Sequence, residues 1–383
     1  MEQEFDSIRP YTEEEAKAAF ARLASNPAIP VISKYLFPRE KANLLSKMLR
    51  NTNSVAEFQD TVMVGVVSSI IVKTSEGFTC TGDENIRSLG RKFLAVSNHR
   101  DIVMDPALIQ YSMREAGLPY TEICVGNNLL TSQLIEDLMR INRMITVIRG
   151  IGARELYLCS QRLSKYIRTA ITEDRASVWI AQREGRTKDG IDTTEQGLLK
   201  MFDMSGEKGF VENFKEICIV PMSISYEYEP CDARKAREIL IKRENGGKYV
   251  KKKKEDFHSI MTGIRQKKGH MHLTISEPLT EQEIIEASAC TGNDRYQAIR
   301  HLVDRRVIKG YKLWKTNYMG YDLMNGTDRY LGVKYLPEDL EDFRKYTEHK
   351  LGKLERRLDR DALRDIFWHI YGNPVEEANK LEA

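Results

Sequence analysis

From about residue 76 to residue 280 the chain repeats one pattern: a short apolar run, a polar turn, then a segment with helical spacing. That alternation confines the fold to the α/β class, because each strand must be buried and each helix must cover it. The predicted strands are 93–96, 144–149, 177–181, 217–225 and 272–276. Between them, 107–116, 132–141, 153–171 and 195–204 have helical periodicity, with Leu156, Cys159, Leu163 and Ile167 on one face of the third.

The flanks read differently. Residues 1–75 are expected to be helical, with helices at 13–24, 39–50 and 55–72 and a proline-containing break at 26–30. Residues 281–383 are highly charged and helical, with Phe343, Tyr346, Leu351, Leu354 and Leu358 as an apolar stripe. The expected division is therefore an N-terminal helical region (1–75), an α/β domain (76–280) and a C-terminal helical region (281–383). With 59 basic and 56 acidic residues the net charge is +3, too balanced for a global nucleic-acid binder. The six cysteines form no Cys-x-x-Cys pair, which suits reduced thiols in a cytoplasmic protein. The acidic N-terminus argues against a secretory signal. The longest uncharged apolar run, 61–72, falls short of the roughly 20 residues that span a bilayer.

Three segments carry chemistry. In Val96-Ser97-Asn98-His99-Arg100-Asp101-Ile102-Val103-Met104-Asp105-Pro106 a histidine sits at a strand end, and Asp105-Pro106 reads as a helix start. A histidine oriented by a carboxylate can take the proton from a hydroxyl nucleophile, and Asp101 and Asp105 are both candidate partners. In Met144-Ile145-Thr146-Val147-Ile148-Arg149 an arginine emerges at a strand end, where ligand crevices form in such sheets. The adjoining Gly150-x-Gly152 is no dinucleotide fingerprint, since Glu155 stands where the third glycine belongs. In Gln182-Arg183-Glu184-Gly185-Arg186-Thr187-Lys188 basic side chains surround a glycine turn that can clamp phosphate. A further strand carries Val220-Pro221, and its proline is expected at a strand end or bulge.

Taken in order, Asn-His-x5-Asp, a strand ending in Arg, Glu-Gly-Arg-Thr and Val-Pro on a strand resemble the four sequence blocks of the phospholipid/glycerol acyltransferase family over roughly 76–280. The resemblance implies a central mixed sheet flanked by helices, with the helical regions as additions at both ends. It implies His99 as general base, Asp105 as its orienting partner with Asp101 in reserve, and Arg149, Glu184, Gly185 and Arg186 at the acceptor's phosphate, with Lys188 or Arg183 assisting. Lys200 is similar, more loosely, to a residue of glycerol-3-phosphate acyltransferases. The family's first block has four residues between His and Asp where this chain has five, and its third block is more often Glu-Gly-Thr-Arg.

The implied reaction moves an acyl group from a thioester, acyl-CoA or acyl carrier protein, to the hydroxyl of glycerol 3-phosphate or its 1-acyl derivative in phospholipid synthesis. No metal or cofactor is expected. Lys248 and Lys251 to Lys254, followed by Arg265, Lys267 and Lys268, would attract an anionic membrane surface or an acidic carrier protein, giving a protein held peripherally on the inner face of the membrane. His270 and His272 share a strand face, but no third metal ligand is evident. The alternatives are acylation of another lysolipid or amino-acid lipid, a lipid hydrolase, and a non-enzymatic acyl-chain binder. No Gly-x-Ser-x-Gly elbow supports the hydrolase, and Pro106 stands where a kinase's His-Arg-Asp loop needs its metal-binding Asn.

Overall fold

The computed structural model of the chain describes residues 2–252 and 254–382. Lys253, inside the basic run, lies outside the described residues. Helices α1 (Glu13–Ser25), α2 (Ala28–Leu36), α3 (Leu44–Asn51) and α4 (Val55–Thr74) precede a seven-stranded sheet. The strands are β1 (Ser75–Thr81), β2 (Leu94–Ser97), β3 (Glu122–Gly126), β4 (Met144–Val147), β5 (Val178–Ala181), β6 (Ile219–Tyr226) and β7 (Gly269–Ile275). Interleaved with them are α5 (Met104–Glu115), α6 (Gln133–Ile141), α7 (Ala153–Thr172), α8 (Gln196–Asp203), α9 (Phe210–Ile217), α10 (Asp232–Glu244) and α11 (Glu255–Arg265). Five more follow: α12 (Glu281–Ser288), α13 (Asp294–Lys309), α14 (Lys315–Asn325), α15 (Pro337–Leu351) and α16 (Arg360–Glu382).

The strand order is β1-β7-β6-β2-β5-β3-β4. β6, β2, β5, β3 and β4 run parallel, and the antiparallel β6–β7 pair makes the sheet mixed, as expected. The period-2 alternation of side chains divides the burial. Leu94, Val96, Val178 and Ile180 enter a core beneath α7, α8, α9 and α13. Ala95, Trp179, Val220 and Met222 enter the opposite core, with Leu108 and Ile109 of α5 and Ile70 of α4. The sheet is thus covered on both faces, and the carboxyl ends of its five parallel strands open on one edge.

Several expected elements differ. β1 and β3 were not predicted: β1 is a half-exposed edge strand without an apolar run, and β3 has only Ile123, Cys124 and Val125 between Glu122 and Gly126. The break at 26–30 instead contains the start of α2, where Pro30 lies in the first turn and costs no helical hydrogen bond. α3 begins at Leu44, five residues later than expected. Pro221 lies within β6, paired with Val96 of β2, and is tolerated because the β7 ladder starts only at Met222. In α7, Leu163 and Ile167 are buried as predicted, but Leu156 is 43 % exposed. α4 contains a π-helical segment, Phe58–Met63, and its 20 residues are long and apolar enough to cross a membrane, with one third of them buried inside the protein.

Lys268 was expected on the basic surface, yet it is fully buried, donating to Thr74 Oγ1 and the Gln266 carbonyl at 2.9 Å each. Burial pushes its ammonium down to about 8. Between pH 8 and the usual lysine range the unfolded chain binds the extra proton, so this group's cost to stability is full below pH 8 and disappears as the pH rises. Urea titrations across pH 7 to 10 should therefore show wild type gaining about 1–3 kcal/mol relative to Lys268→Met. A parallel pH dependence in the two proteins would refute this account.

Candidate functional site

His99 leaves the end of β2, the central strand of the sheet, and its ring rests edge-to-face on Trp179 of β5, with centroids 5.9 Å apart. Its Nδ1 lies 2.8 Å from Asp105 Oδ2. Asp105 is fully buried in the first turn of α5. Its Oδ2 also accepts the N–H groups of Arg100 (2.6 Å) and Asp101 (2.9 Å), and its Oδ1 accepts the Tyr226 hydroxyl (2.6 Å). Burial and the neighbouring carboxylate hold the Tyr226 hydroxyl well above its ordinary range, so it stays a donor. Asp105 is thereby fixed in orientation, with Nε2 of His99 left without a hydrogen-bond partner among the described residues.

Asp101, the reserve candidate, is engaged elsewhere. Its Oδ1 accepts the N–H groups of Val103 and Met104 at 2.9 Å, so it, not Asp105, caps α5. Its Oδ2 is buried without a partner and faces Gly263 of α11, where an added Cβ would stand 2.0 Å away. The same helix reaches the other strand ends through Asp256, which accepts Asn128 Nδ2 at 3.1 Å just beyond β3. α11 therefore crosses the open edge of the sheet from β3 toward β2.

The 182–187 turn is tied to the histidine by the Gln182 N–H to the Ser97 carbonyl and the Thr187 N–H to the His99 carbonyl, both at 2.8 Å. Gly185, at φ +71°, supplies the left-handed conformation that the turn requires. Glu184, on the exposed side of this turn, stands 3.7 Å from Arg149, which lies two residues beyond β4. Arg186 Nη1 and Arg183 Nε are buried without hydrogen-bond partners among the described residues, and Arg183 also lines the cavity beside the strand ends. Lys188 is different: it is paired with Glu238 of α10. Burial lowers its ammonium, and the positive charges of Lys251 and Arg186 act in the same direction. Lys200 lies over the ring of Tyr296 (5.9 Å) on a separate cavity wall and does not join His99.

Sequence reasoning missed what locks this corner. Asp192 is buried and accepts Arg100 Nη2 (2.6 Å), Asn98 Nδ2 (3.0 Å), Thr187 Oγ1 (2.6 Å) and the Tyr311 hydroxyl (2.8 Å). Burial opposes both charges, yet the pairing with Arg100 holds the Asp192 carboxyl below its usual range. Glu229 and Lys235, paired at 2.5 Å, extend the network, and Lys235 Nζ donates to the Arg100 carbonyl at 2.9 Å. The run His99-Arg100-Asp101 offered no signal for these partners, which lie far away in sequence.

Beside the strand ends, a cavity of about 180 Å³ between the sheet and α7 and α8 is lined by Cys124, Val147, Ile180, Leu163, Leu198 and Met201, with Arg149, Arg183 and Glu184 also on its wall. It adjoins a larger hollow of about 740 Å³, with which it shares Leu156, Ser160, Gly197 and Met201. The exposed half of α7 is thus a cavity wall. Elsewhere His270 pairs with Glu227 at 2.7 Å, while His272 is held by Thr79 and Thr81. The fold thus groups His270 not with His272 but with Glu76 and Glu227, and these three place one donor atom each within 4.8 Å of one another.

No curated protein matches the chain. Residues 77–225, from β1 almost to the end of β6, match the family model described as Acyltransferase. They contain the His99–Asp105 pair, Arg149 and the 182–187 turn, so the stretch that is similar to acyltransferases is the one that holds the candidate site.

Proposed function

We propose that the protein is an O-acyltransferase that moves an acyl group from a thioester, acyl-CoA or acyl carrier protein, to the hydroxyl of glycerol 3-phosphate or its 1-acyl derivative. The observation that carries this reading is the buried, fully hydrogen-bonded Asp105 fixing His99 beside a turn that carries Arg183 and Arg186, each with a nitrogen that has no partner among the described residues. The acceptor's phosphate is held by Arg149 and Arg186, with Glu184 and Gly185 shaping the turn. Arg183 assists in preference to Lys188, which Glu238 already occupies. His99 Nε2 takes the proton of the acceptor hydroxyl as that oxygen attacks the thioester carbonyl. The C–O bond forms, the tetrahedral intermediate collapses, and the thiolate leaves with the proton returned through the imidazolium. Asp105 fixes the tautomer and stabilises the imidazolium, as the aspartate does in a Ser-His-Asp triad, with the nucleophile supplied by the substrate. The apolar cavity behind Arg149 suits the acyl chain.

The setting we infer is the cytoplasmic surface of a membrane. Val31 and Val72 are 71 % and 80 % exposed; Val31 lies one helical turn before Tyr35, and Val72 precedes Lys73, which with Arg265 lies over the Tyr35 ring. Apolar tips among cations suit an anionic bilayer surface.

His99→Ala should lower kcat by about 10³-fold or more without changing the thermal midpoint. Thiol release from an acyl thioester should require the acceptor in wild type; release into water alone would favour a hydrolase. Arg186→Ala should raise the acceptor's KM about tenfold and leave the donor's unchanged, and an effect confined to the donor would remove the phosphate role.

A further inference from the structure

Helix α11 has a second exposed side, away from Gly263 and Asp101. There a cleft of about 930 Å³ lies between α10, α11 and the C-terminal end of α15. Its walls carry Arg234, Lys252, Arg265, Lys353, His258 and His349. The carboxylates in the same cleft are already engaged. Asp232 accepts the hydroxyls of Tyr346 (2.6 Å) and Tyr371 (3.0 Å) and pairs with Lys350 at 2.7 Å. Glu355 is held by Arg237 through both oxygens, and Glu255 accepts the Tyr249 hydroxyl (2.6 Å) and the Lys252 N–H (2.9 Å). Among the described residues, none of the six wall cations and histidines has a carboxylate oxygen within 4.0 Å.

Two of these cations are held in place by neutral groups. Arg234 donates its Nε to Thr262 Oγ1 at 3.1 Å, which leaves its terminal nitrogens for another acceptor. The Arg265 guanidinium lies 5.1 Å over the ring of Tyr35. Like charges fixed around a concavity, with every nearby acid used elsewhere, make a focused positive potential that an anion relieves. Arginine forks beside point-charge lysines match phosphate oxygens, and Met261 and Leu354 supply apolar wall for the remainder of such a ligand.

We propose that this cleft is a binding site for a small ligand carrying clustered phosphates, separate from the crevice at His99. The shared chemistry is a pyrophosphate group on a nucleotide-sized body, supplied either by the nucleotide end of coenzyme A or by a free nucleoside diphosphate.

Isothermal titration of the full-length protein with pyrophosphate, ADP and desulfo-coenzyme A tests the assignment. All three should bind saturably, more weakly as salt is raised. Arg234→Ala and Lys353→Ala should each weaken binding about tenfold, while His99→Ala and Arg149→Ala should bind as wild type does. Lys353 is exposed, so its variant keeps the test valid if Arg234→Ala fails to fold. Desulfo-coenzyme A binding about tenfold tighter than ADP would assign the coenzyme as source, and equal affinities would assign the free nucleotide. No saturable binding, binding lost with Arg149→Ala, or association only with phosphatidylglycerol vesicles would each overturn the proposal.

Discussion

The corner around His99 depends on one buried carboxylate. Asp192 accepts donors from the end of β2, from the turn after β5 and from the segment before α14, and so fastens three separate stretches of chain at one point. Burying its charge is tolerable only because Arg100 is buried against it and the remaining lone pairs are filled. Arg100 in turn is the residue whose backbone N–H reaches Asp105. The geometry of the histidine is therefore inherited from an ion pair that does not touch it. Such a network sets a unique arrangement more than it adds stability, because both charges have lost their water.

Much of the fold was legible because the strongly apolar strands lie in the middle of the sheet, where burial on both faces demands an apolar run. β2, β5 and β6 announced themselves in this way. β1 failed to do so because an edge strand beside β7 needs few apolar residues, and β3 because three apolar residues in a row, two of them buried, are too few to show a period. α2 was hidden by Pro27 and Pro30, which read as a break although proline fits a first helical turn.

The site was legible in its residue types and less so in its pairings. The extra residue between His99 and Asp105 left two carboxylates open in the sequence; the fold separates them, giving Asp105 to the imidazole and Asp101 to the helix cap. Lys188 looked equivalent to Arg186, yet Glu238, which lies 50 residues away, takes it. Lys268 looked like the end of a solvated basic run and is instead buried beside Thr74. For both lysines the deciding partner is distant in sequence, and no local pattern encodes it. Local patterns report what a side chain can do; only the fold reports whether another group has already claimed it.

Gly263 lets α11 lie against Asp101 at a distance that no other residue would allow. That helix is a common wall, with the His99 corner on one side and the basic cleft on the other. Two cavities sharing a rigid partition are not thermodynamically independent. Any occupant of one that displaces the helix alters the affinity of the other, and reciprocity requires the factor to be the same in both directions. A missing methyl group at one position thus places α11 where an occupant of either cavity would act on the wall of the other.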